Sequence, residues 1–372
     1  MKRIAIIYRN IAGLSGTPNT IIDHAAFLSG MGFRVDLIAE RFDCNRITLP
    51  PENLVKVRRL PFFKRWRSSW FARQADKKAR RDYDFVAGHG HNFYQDVLSL
   101  HNCAHQAHEK MHKQPLINPD TTALIQDKVL RQQTFKFCIA NSKLMRSDLI
   151  RRYSVPGEKI KVIYPGYHTG RFDDAHRNSL REPVRRDLGI SGDHLLVGLI
   201  TSGDFRKRGV DLAIAAFAGL SAGLRKRSSL VVVGKTSSLE KYQKLAIEHG
   251  VDANIRFLPV RPDIEVYYHA LDLYVHPARF EEFGQSVQEA MACGLPVVAS
   301  RQVGAMELLP EEAYAEVPDE LDADSLSRQL ERFLTEPSLR QRWSDYGLAA
   351  AEKNSAEINF QKTLEVYKAA GL

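Results

Sequence analysis

The chain has 372 residues, of which 44% are hydrophobic and 26% charged, and its formal net charge is +9. This length predicts two domains of roughly 150 to 200 residues each. No apolar run reaches the roughly 18 residues that a transmembrane helix needs, and the start, MKRI, leads into a short apolar strand rather than a secretory signal, so we expect a cytoplasmic protein. The four cysteines are too scattered to predict a disulfide framework or a thiolate zinc site.

The first half of the chain alternates short apolar runs with helical stretches. A loop at 10–19 and a helix at 20–30 separate the first two apolar runs. Strands are predicted at 4–8, 35–39, 85–87, 97–100 and 137–140. This alternation indicates a parallel sheet covered on both faces. The G-x-G-x-x-G fingerprint of dinucleotide-binding folds is not in the sequence.

Positive charge is concentrated between Lys56 and Arg81, where eleven Lys or Arg residues accompany one acid, Asp76. The aromatic residues interleaved among them are Phe62, Phe63, Trp66, Trp70 and Phe71. Cations mixed with aromatic rings favour an anionic membrane surface. A solvated helix over ordinary core aromatics is the plainer interpretation. A nucleic-acid site is a third interpretation, which no nucleic-acid motif supports.

Six of the thirteen histidines lie between residues 89 and 112. His101, His105, His108 and His112 are spaced by four, three and four residues, so on a helix they share one face. That face is either a zinc site, which lacks the cysteine or carboxylate set that would complete it, or a polar face without function. His101 also ends the apolar run V-L-S-L, and ligands of doubly wound sheets bind beyond such strand ends.

A second domain is predicted after the strand and Pro/Gly turn at 159–172, and the charged residues 173–190 are typical of a linker. A new apolar strand at 195–201 leads into the basic loop Arg206-Lys207-Arg208-Gly209 and then into a helix. Basic side chains beside a helix N-terminus make a good diphosphate site, although for an isolated basic loop a solvated turn is the favoured interpretation. Further strands are predicted at 230–233 and 254–257, and helices from 324 onwards.

The stretch from Leu273 to Ser300 runs strand, acidic loop, helix, strand. Glu281 lies in the loop, and Glu289 lies about two turns inside the helix on an apolar face. Burying the Glu289 carboxylate there costs free energy unless a donor satisfies it, which sugar or ribose hydroxyls would do. The helix N-terminus between the two glutamates also favours a phosphate. The alternative is a capping glutamate followed by a solvated one.

The string E-x7-E followed by A-M-A-C-G-L-P-V-V-A-S resembles the signature of retaining glycosyltransferases of family four. The resemblance is strong over 195–305 and weaker over 1–150. It implies an α/β protein of the GT-B architecture, with two Rossmann-like domains whose parallel sheets face across a cleft. On this basis we expect an acceptor-binding domain at 1–170, a nucleotide-sugar-binding domain at 171–354, and a last helix at 355–372 that crosses back to the first domain.

The resemblance also implies roles in the first domain. In the family a loop with a Gly-Gly pair lies under the donor phosphates, and here Gly16 keeps its spacing while Ser15 replaces the first glycine. A histidine at a strand end faces the transferred sugar, which implies that role for His101, with His89 and His91 as acceptor-side candidates. A neutral imidazole is able to donate to a hydroxyl or phosphate.

In the second domain the resemblance implies a donor site. Lys207 and Arg208 match the Arg and Lys that hold the pyrophosphate, and Arg208 stands where Lys is usual, directly before Gly-x-Asp. Glu281 would orient the sugar hydroxyls, while Glu282 beside it replaces a common glycine. The remaining donor-side candidates are Glu289 for the ribose, Arg261 for the base, and Phe283 and Gly284 between the glutamates. Neither a metal nor a cofactor is implied, because the two cations stabilise the leaving diphosphate.

A retaining hexosyltransferase that uses a nucleoside diphosphate sugar, first of all a UDP-sugar, is therefore the implied function. D-F-x-x-x-G-V-D and the H-P-A before Glu281 look most like bacterial transferases of the lipopolysaccharide core. The acceptor would then be an anionic glycolipid at the inner face of the membrane, to which residues 56–81 bind. The alternatives are a transferase for another glycan or small acceptor, a sugar-nucleotide epimerase, a non-catalytic glycolipid-binding protein of the same fold, and a nucleic-acid-binding protein.

Overall fold

A computed structural model describes residues 2–12, 16–60, 66–234 and 239–372. The chain divides into two compact units. The first unit consists of Met1–Pro165 and Glu357–Leu372, and the second of Gly166–Ala356. These bounds differ by a few residues from the division at 170 and 354 that the sequence suggested.

The first unit is built on a seven-stranded parallel sheet. The strands of this unit are β1 (Arg3–Ile7), β2 (Asn10–Ile11), β3 (Arg34–Ala39), β4 (Arg41–Phe42), β5 (Leu54–Lys56), β6 (Phe85–Gly88), β7 (Val97–Ser99), β8 (Phe137–Ala140) and β9 (Ile160–Val162). Of these, β2 and β4 pair with each other in a separate two-stranded sheet. Its first helices are α1 (Gly16–Gly30), α2 (Arg67–Asp82), α3 (Ala104–His112), α4 (Thr121–Gln132) and α5 (Lys143–Tyr153).

The order of the large sheet is β5-β3-β1-β6-β7-β8-β9. Ile4, Ile6 and Phe85 are fully buried or nearly so, as expected for central strands whose two faces are both covered. Because β1, β6 and β7 are neighbours and parallel, the residues that follow them meet at one edge of the sheet.

The second unit holds a five-stranded parallel sheet in the order β12-β11-β10-β13-β14. Its strands are β10 (Leu195–Ile200), β11 (Ser228–Gly234), β12 (Ile255–Pro259), β13 (Leu273–His276) and β14 (Val297–Ala299). Its helices are α6 (Arg177–Asp187), α7 (Val210–Ala218), α8 (Ala222–Lys226), α9 (Leu239–Glu248), α10 (Glu265–Ala270), α11 (Gln285–Ala292), α12 (Glu311–Ala315), α13 (Ala323–Thr335) and α14 (Pro337–Glu352). Within this sheet β10 pairs with β13, so the basic loop and the acidic loop leave adjacent strands.

The last helix, α15 (Ala356–Ala369), completes the core of the first unit. Its Phe360 ring stacks on the buried ring of His24 at 5.4 Å between centroids, and Tyr367 packs against Phe85 at 4.9 Å. The helix end is tied by Lys136, whose Nζ donates to the Ala370 carbonyl at 2.7 Å. Apolar packing and backbone hydrogen bonds therefore hold this segment against the sheet.

Two expectations about the elements are wrong. Helix α1 begins at Gly16 rather than Thr20, because Pro18 falls in its first turn, where a missing N–H costs nothing. Residues 173–190 are not a linker, since most of them form α6. Strong charge suggested exposure, but three of the four arginines of this helix bind the end of α10 and the residues after it.

Three arginines of α6 bind the end of α10 and the two residues that follow it. Arg181 and Arg185 both bind Asp272, at 2.5 and 3.2 Å, and Arg177 donates to the Leu271 carbonyl at 2.7 Å. The Arg185 side chain is only 2% exposed. The last carbonyls of a helix have no partner within it, so these guanidinium groups satisfy carbonyls as well as pairing with a buried charge.

No helix within the described part of the chain is both long enough and apolar enough to cross a bilayer.

Replacing Asp272 by Asn should destabilise the second unit, because the buried Arg185 would lose its counter-charge. Removing one partner of a buried ion pair costs about 3 kcal/mol or more. We expect a lower midpoint of urea unfolding, followed by circular dichroism. Asp319→Asn is the matched control, because Asp319 pairs with Arg301 but its side chain is 81% exposed. Equal midpoints for the two variants would contradict this role of Asp272.

Candidate active site

Aromatic and imidazole side chains meet at the carboxyl edge of the first sheet. Tyr8 follows β1, His89 follows β6, and His101 lies two residues beyond β7. His91 belongs to the same loop as His89, with Gly90 between them at a φ of 77°. The His91 ring meets the Tyr8 ring edge to face at 4.7 Å between centroids. The structure thus brings together all three predicted histidines and adds Tyr8, which the sequence analysis had only counted as a strand residue.

The rings of His89 and His101 lie nearly parallel, at 9° to each other with centroids 5.1 Å apart, and Nδ1 of His89 lies 2.8 Å from Nε2 of His101. One of these nitrogens must donate and the other accept, so the two rings hold complementary tautomers. Burial lowers the pKa of His101 and of His91 to about 4 and lowers that of His89 well below its ordinary value. The cluster is therefore uncharged at neutral pH and offers polar N–H and N atoms rather than positive charge.

The predicted four-histidine helix face does not form. Helix α3 begins at Ala104, so His101 lies outside it and belongs to the strand end. His105 pairs with Asp127 at 3.0 Å, and the rings of His108 and His112 pack on each other at 4.4 Å. Over the described ranges, no group of three or more His, Cys, Asp or Glu side chains is arranged to hold a metal ion.

In the second unit, the basic loop after β10 is fixed to the loop after β13. Gly209 has a φ of 70°, and a Cβ there would collide with the Pro277 carbonyl oxygen. Asp211 accepts two hydrogen bonds of 2.8 Å from the guanidinium of Arg279, and the Arg279 N–H donates to the Lys207 carbonyl at 3.0 Å. The glycine and the aspartate of the G-x-D motif therefore hold the backbone that carries the two predicted cations.

Arg208 forms an ion pair with Glu281. Both side chains are largely buried, and burial lowers the pKa of Arg208, while the nearby Glu282 carboxylate opposes this shift. Nε2 of His276, which sequence analysis did not single out beyond its H-P-A string, lies 3.5 Å from Glu281 Oε2. Burial lowers the pKa of His276 to about 3, so this ring is neutral at physiological pH.

Glu281 is also held through its backbone. Its N–H donates to the Gln302 carbonyl at 2.8 Å, and its carbonyl accepts from Gly304 at 3.1 Å. Glu281 and Val303 form an isolated parallel bridge, so the acidic loop is tied to the segment after β14. The carboxylate thus starts from a fixed backbone position, as a residue that orients a ligand requires.

Lys207 forms a second ion pair, with Glu282. Its Nζ lies 2.8 Å from Glu282 Oε2, and the two side chains are 21% and 7% exposed. Each of the two cations that are predicted to bind phosphate thus forms an ion pair with one of two consecutive glutamates.

Gly284 caps the N-terminus of α11 with a φ of 96°, and a Cβ there would lie 3.1 Å from Glu281 Cγ. Only glycine adopts this conformation readily, so it allows the turn between the acidic loop and the helix. The Phe283 side chain is buried, and its carbonyl accepts from the Ala305 N–H at 2.7 Å. The Phe283 ring therefore lies in the core, so the backbone of this residue would have to make the predicted contact with the donor.

Glu289 projects from α11 toward a buried tyrosine. The Tyr268 hydroxyl donates to Glu289 Oε2 at 2.8 Å, a partner that the sequence gave no sign of, because Tyr268 lies on α10. Burial raises the pKa of Glu289, and this hydrogen bond opposes the rise. The predicted need for a donor is thus met in part by the protein itself.

The remaining predicted residues lie on the surface or at an element end. Arg261, in the loop after β12, pairs with Asp263 and lies over the Tyr267 ring at 5.4 Å. Gly16 is the first residue of α1, and its carbonyl accepts from the Thr20 hydroxyl at 3.2 Å. Ser15 lies outside the described residues. For these residues the predicted donor contacts stay predictions.

Helix α2 carries most of the described part of the basic aromatic stretch. Phe71 is fully buried, whereas the side chains of Trp66 and Trp70 are 62% and 39% exposed. Arg73 and Lys77 continue the spacing of the two tryptophans along the exposed side of the helix. One face of the helix therefore packs on the core and the other presents cations and indoles, while binding of that face to a membrane stays a prediction. Phe62 and Phe63 lie outside the described residues.

Tyr268→Phe should destabilise the protein more at pH 8 than at pH 5. The hydroxyl donates to a carboxylate whose pKa in the folded state is raised, so acidification protonates Glu289 in the folded protein first and weakens the charge-assisted bond. We expect a loss of about 2 kcal/mol at pH 8 and less at pH 5, from denaturant unfolding at each pH. In the control, Tyr274→Phe, the lost bond goes to the Ile200 carbonyl, which does not titrate, so its effect should not depend on pH. A pH-independent effect of Tyr268→Phe would contradict this pairing.

Comparison with known proteins agrees with this architecture. Residues 183–349 match the family model "Glycosyl transferases group 1", and residues 14–171 match the model "Glycosyltransferase Family 4". The lipopolysaccharide glucosyltransferase WaaG of Escherichia coli K12 is 30% identical over 200 residues, which are 54% of this chain and 53% of that protein. The chain thus matches about half the length of the first curated relatives.

Solved structures show the same fold over nearly the whole chain. The crystal structure of WaaG has a TM-score of 0.81 at 21% identity and covers 98% of this chain and 99% of that one. HepE of Anabaena, solved in complex with UDP and glucose, has a TM-score of 0.77 at 19% identity and covers 99% and 100%. With the two family models and the E-x7-E motif, this identifies the protein as a member of the family-four glycosyltransferases, with the GT-B architecture.

Proposed function

We propose that the protein is a retaining hexosyltransferase that moves a sugar from a nucleoside diphosphate donor, first of all a UDP-sugar, to a hydroxyl of an anionic glycolipid of the lipopolysaccharide core. The observation that carries the proposal is the buried pairing of Arg208 with Glu281 at the carboxyl edge of the second sheet. It brings a phosphate-binding cation next to a carboxylate suited to sugar hydroxyls, as the two halves of a sugar diphosphate require.

The chemical difficulty of the reaction is the departing diphosphate. As the bond between the anomeric carbon and the phosphate oxygen breaks, negative charge grows on the phosphate while the sugar gains oxocarbenium character. Arg208 and Lys207 would take up that charge from a loop whose backbone Arg279 and Asp211 hold in place. They would do what a metal ion does in other transferases.

The new glycosidic bond would form on the face that the diphosphate leaves. In this front-face route the acceptor hydroxyl attacks the anomeric carbon, and its proton passes to the oxygen of the leaving phosphate, so the configuration is retained. Glu281 would orient the sugar hydroxyls from its fixed backbone position. Glu289, whose Oε2 accepts a hydrogen bond from the Tyr268 hydroxyl, would also accept hydrogen bonds from the ribose hydroxyls.

The histidine cluster of the first unit supplies the acceptor side of the proposal. His101 would contact the transferred sugar, and His89 and His91 the acceptor. Because burial keeps the pKa of His101 and His91 near 4, these rings would donate and accept hydrogen bonds without adding charge. A neutral imidazole has one donor and one acceptor nitrogen, and a sugar hydroxyl is able to pair with either.

Two relatives guide the choice of substrates. The E. coli relative is a lipopolysaccharide glucosyltransferase, which supports a core glycolipid as the acceptor. HepE was solved with UDP and glucose and also with UDP-glucose, which supports uridine as the base to test first. GDP- and ADP-sugars belong in the same assay.

Arg208→Ala should lower turnover by roughly 10²- to 10³-fold, because the leaving diphosphate loses its nearest buried cation. The measurement is UDP release from UDP-glucose in the presence of truncated-core lipopolysaccharide. Arg227→Ala, which removes an exposed arginine of the same unit, is the control.

Unchanged UDP release by Arg208→Ala would refute the donor assignment. A sugar-nucleotide epimerase would convert the donor without acceptor and without UDP release, and a non-catalytic protein would bind glycolipid without consuming donor. The same assay, run with and without acceptor, therefore separates the three functions.

The exposed face of α2 supports membrane binding as part of this proposal. Indoles at the helix start and cations along it suit the boundary between headgroups and acyl chains of an anionic bilayer. The enzyme would then lie on the inner face of the cytoplasmic membrane, where its glycolipid acceptor is available.

Neutralising Arg73, Lys77 and Arg81 together to Gln should weaken binding to phosphatidylglycerol vesicles by roughly a hundredfold, since each cation near an anionic surface contributes about 1 kcal/mol. The measurement is co-sedimentation with vesicles at fixed salt. Neutralising Lys226, Arg227 and Lys241, exposed cations of the second unit, changes the net charge equally and is the control. Equal losses in both variants would mean that overall charge, not this helix face, drives binding.

A further inference from the structure

The two ion pairs between the basic loop and the acidic loop form one compact charged cluster. Lys207 pairs with Glu282 at 2.8 Å, and Arg208 pairs with Glu281. The Glu282 carboxylate also acts on Arg208, where it opposes the drop in pKa caused by burial. Two cations and two carboxylates thus balance each other in a region where all four side chains are at most 21% exposed.

A diphosphate that binds this cluster has to compete with Glu281 and Glu282 for Lys207 and Arg208. Phosphate oxygens that bind Lys207 and Arg208 take these cations from the two carboxylates. A buried carboxylate that loses its cation becomes strongly unfavourable unless another donor replaces it. The affinity of the site for any diphosphate therefore depends on what else the ligand offers to Glu281 and Glu282.

A nucleotide sugar and its diphosphate product differ in this respect. The intact donor carries sugar hydroxyls beside the phosphates, and these donate hydrogen bonds to carboxylates. The nucleoside diphosphate left after transfer has lost the sugar and offers no such donor at that end. The Glu282 carboxylate therefore weakens binding of the product more than binding of the donor.

We propose that Glu282 is a specificity-determining residue that discriminates between the glycosylated donor and the nucleoside diphosphate product by competing for Lys207. This inference rests on the proposed donor site and deepens it. It gives a function to the glutamate that stands where the family commonly has glycine. Once the sugar has left, re-formation of the Lys207–Glu282 pair would favour release of the product.

Glu282→Gln tests this directly, because it keeps the side-chain size and removes the charge. Isothermal titration calorimetry with UDP should show roughly tenfold tighter binding to the variant, and UDP-glucose should gain less, so that the ratio of the two dissociation constants falls. Pyrophosphate should follow UDP, whereas uridine, which has no phosphate, should bind both proteins equally. Glu312→Gln, an exposed glutamate of the same unit, is the control variant.

Equal affinity of wild type and Glu282→Gln for UDP would overturn the inference and leave the proposed function standing. Failure of the wild-type protein to bind UDP, GDP or ADP would overturn both. Glu282→Gly provides a second variant that must show the same gain for UDP. The melting temperatures of both variants show whether they fold as the wild type does. A change of affinity caused by misfolding would also alter the binding of uridine.

Discussion

Parallel strands all end at the same edge of their sheet, and the candidate residues of each unit depend on that geometry. In the first unit, neighbouring strands deliver Tyr8, His89 and His101 to one place, although up to 93 residues separate them. In the second, adjacent strands deliver the loops of Arg208 and Glu281. Because the central strands are buried on both faces, their apolar sequences are fixed by packing, and chemical variety is confined to the loops beyond them.

Pairing of largely buried charges is a second constraint on this structure. Arg181 and Arg185 of α6 pair with Asp272, and the cations of the donor loop pair with consecutive glutamates. The physical need is the same, because an unpaired buried charge is costly. The consequences differ, since the first set joins α6 to the end of α10, while the second lies in loops at the carboxyl edge of the sheet, where parallel sheets bind ligands.

The sequence predicted those features that are local. Continuous apolar runs marked the central strands, and the spacing of Glu281, Gly284 and Glu289 marked the loop and the helix between them. It failed where tertiary contacts reverse a local preference, as in α6, whose charged sequence suggested a solvated linker. It also did not identify the partners of the site residues. Tyr268 reaches Glu289 from a different helix, and no spacing along the chain encodes that contact.

The docking of α15 makes the first unit discontinuous in sequence. Residues up to 165 form its sheet, but part of the core that covers this sheet comes from residues after 356. A ribosome delivers the chain from its N-terminus, so the first unit has to wait with apolar surface uncovered while the whole second unit is made. The second unit, by contrast, is continuous and is able to complete its fold before its neighbour in sequence does.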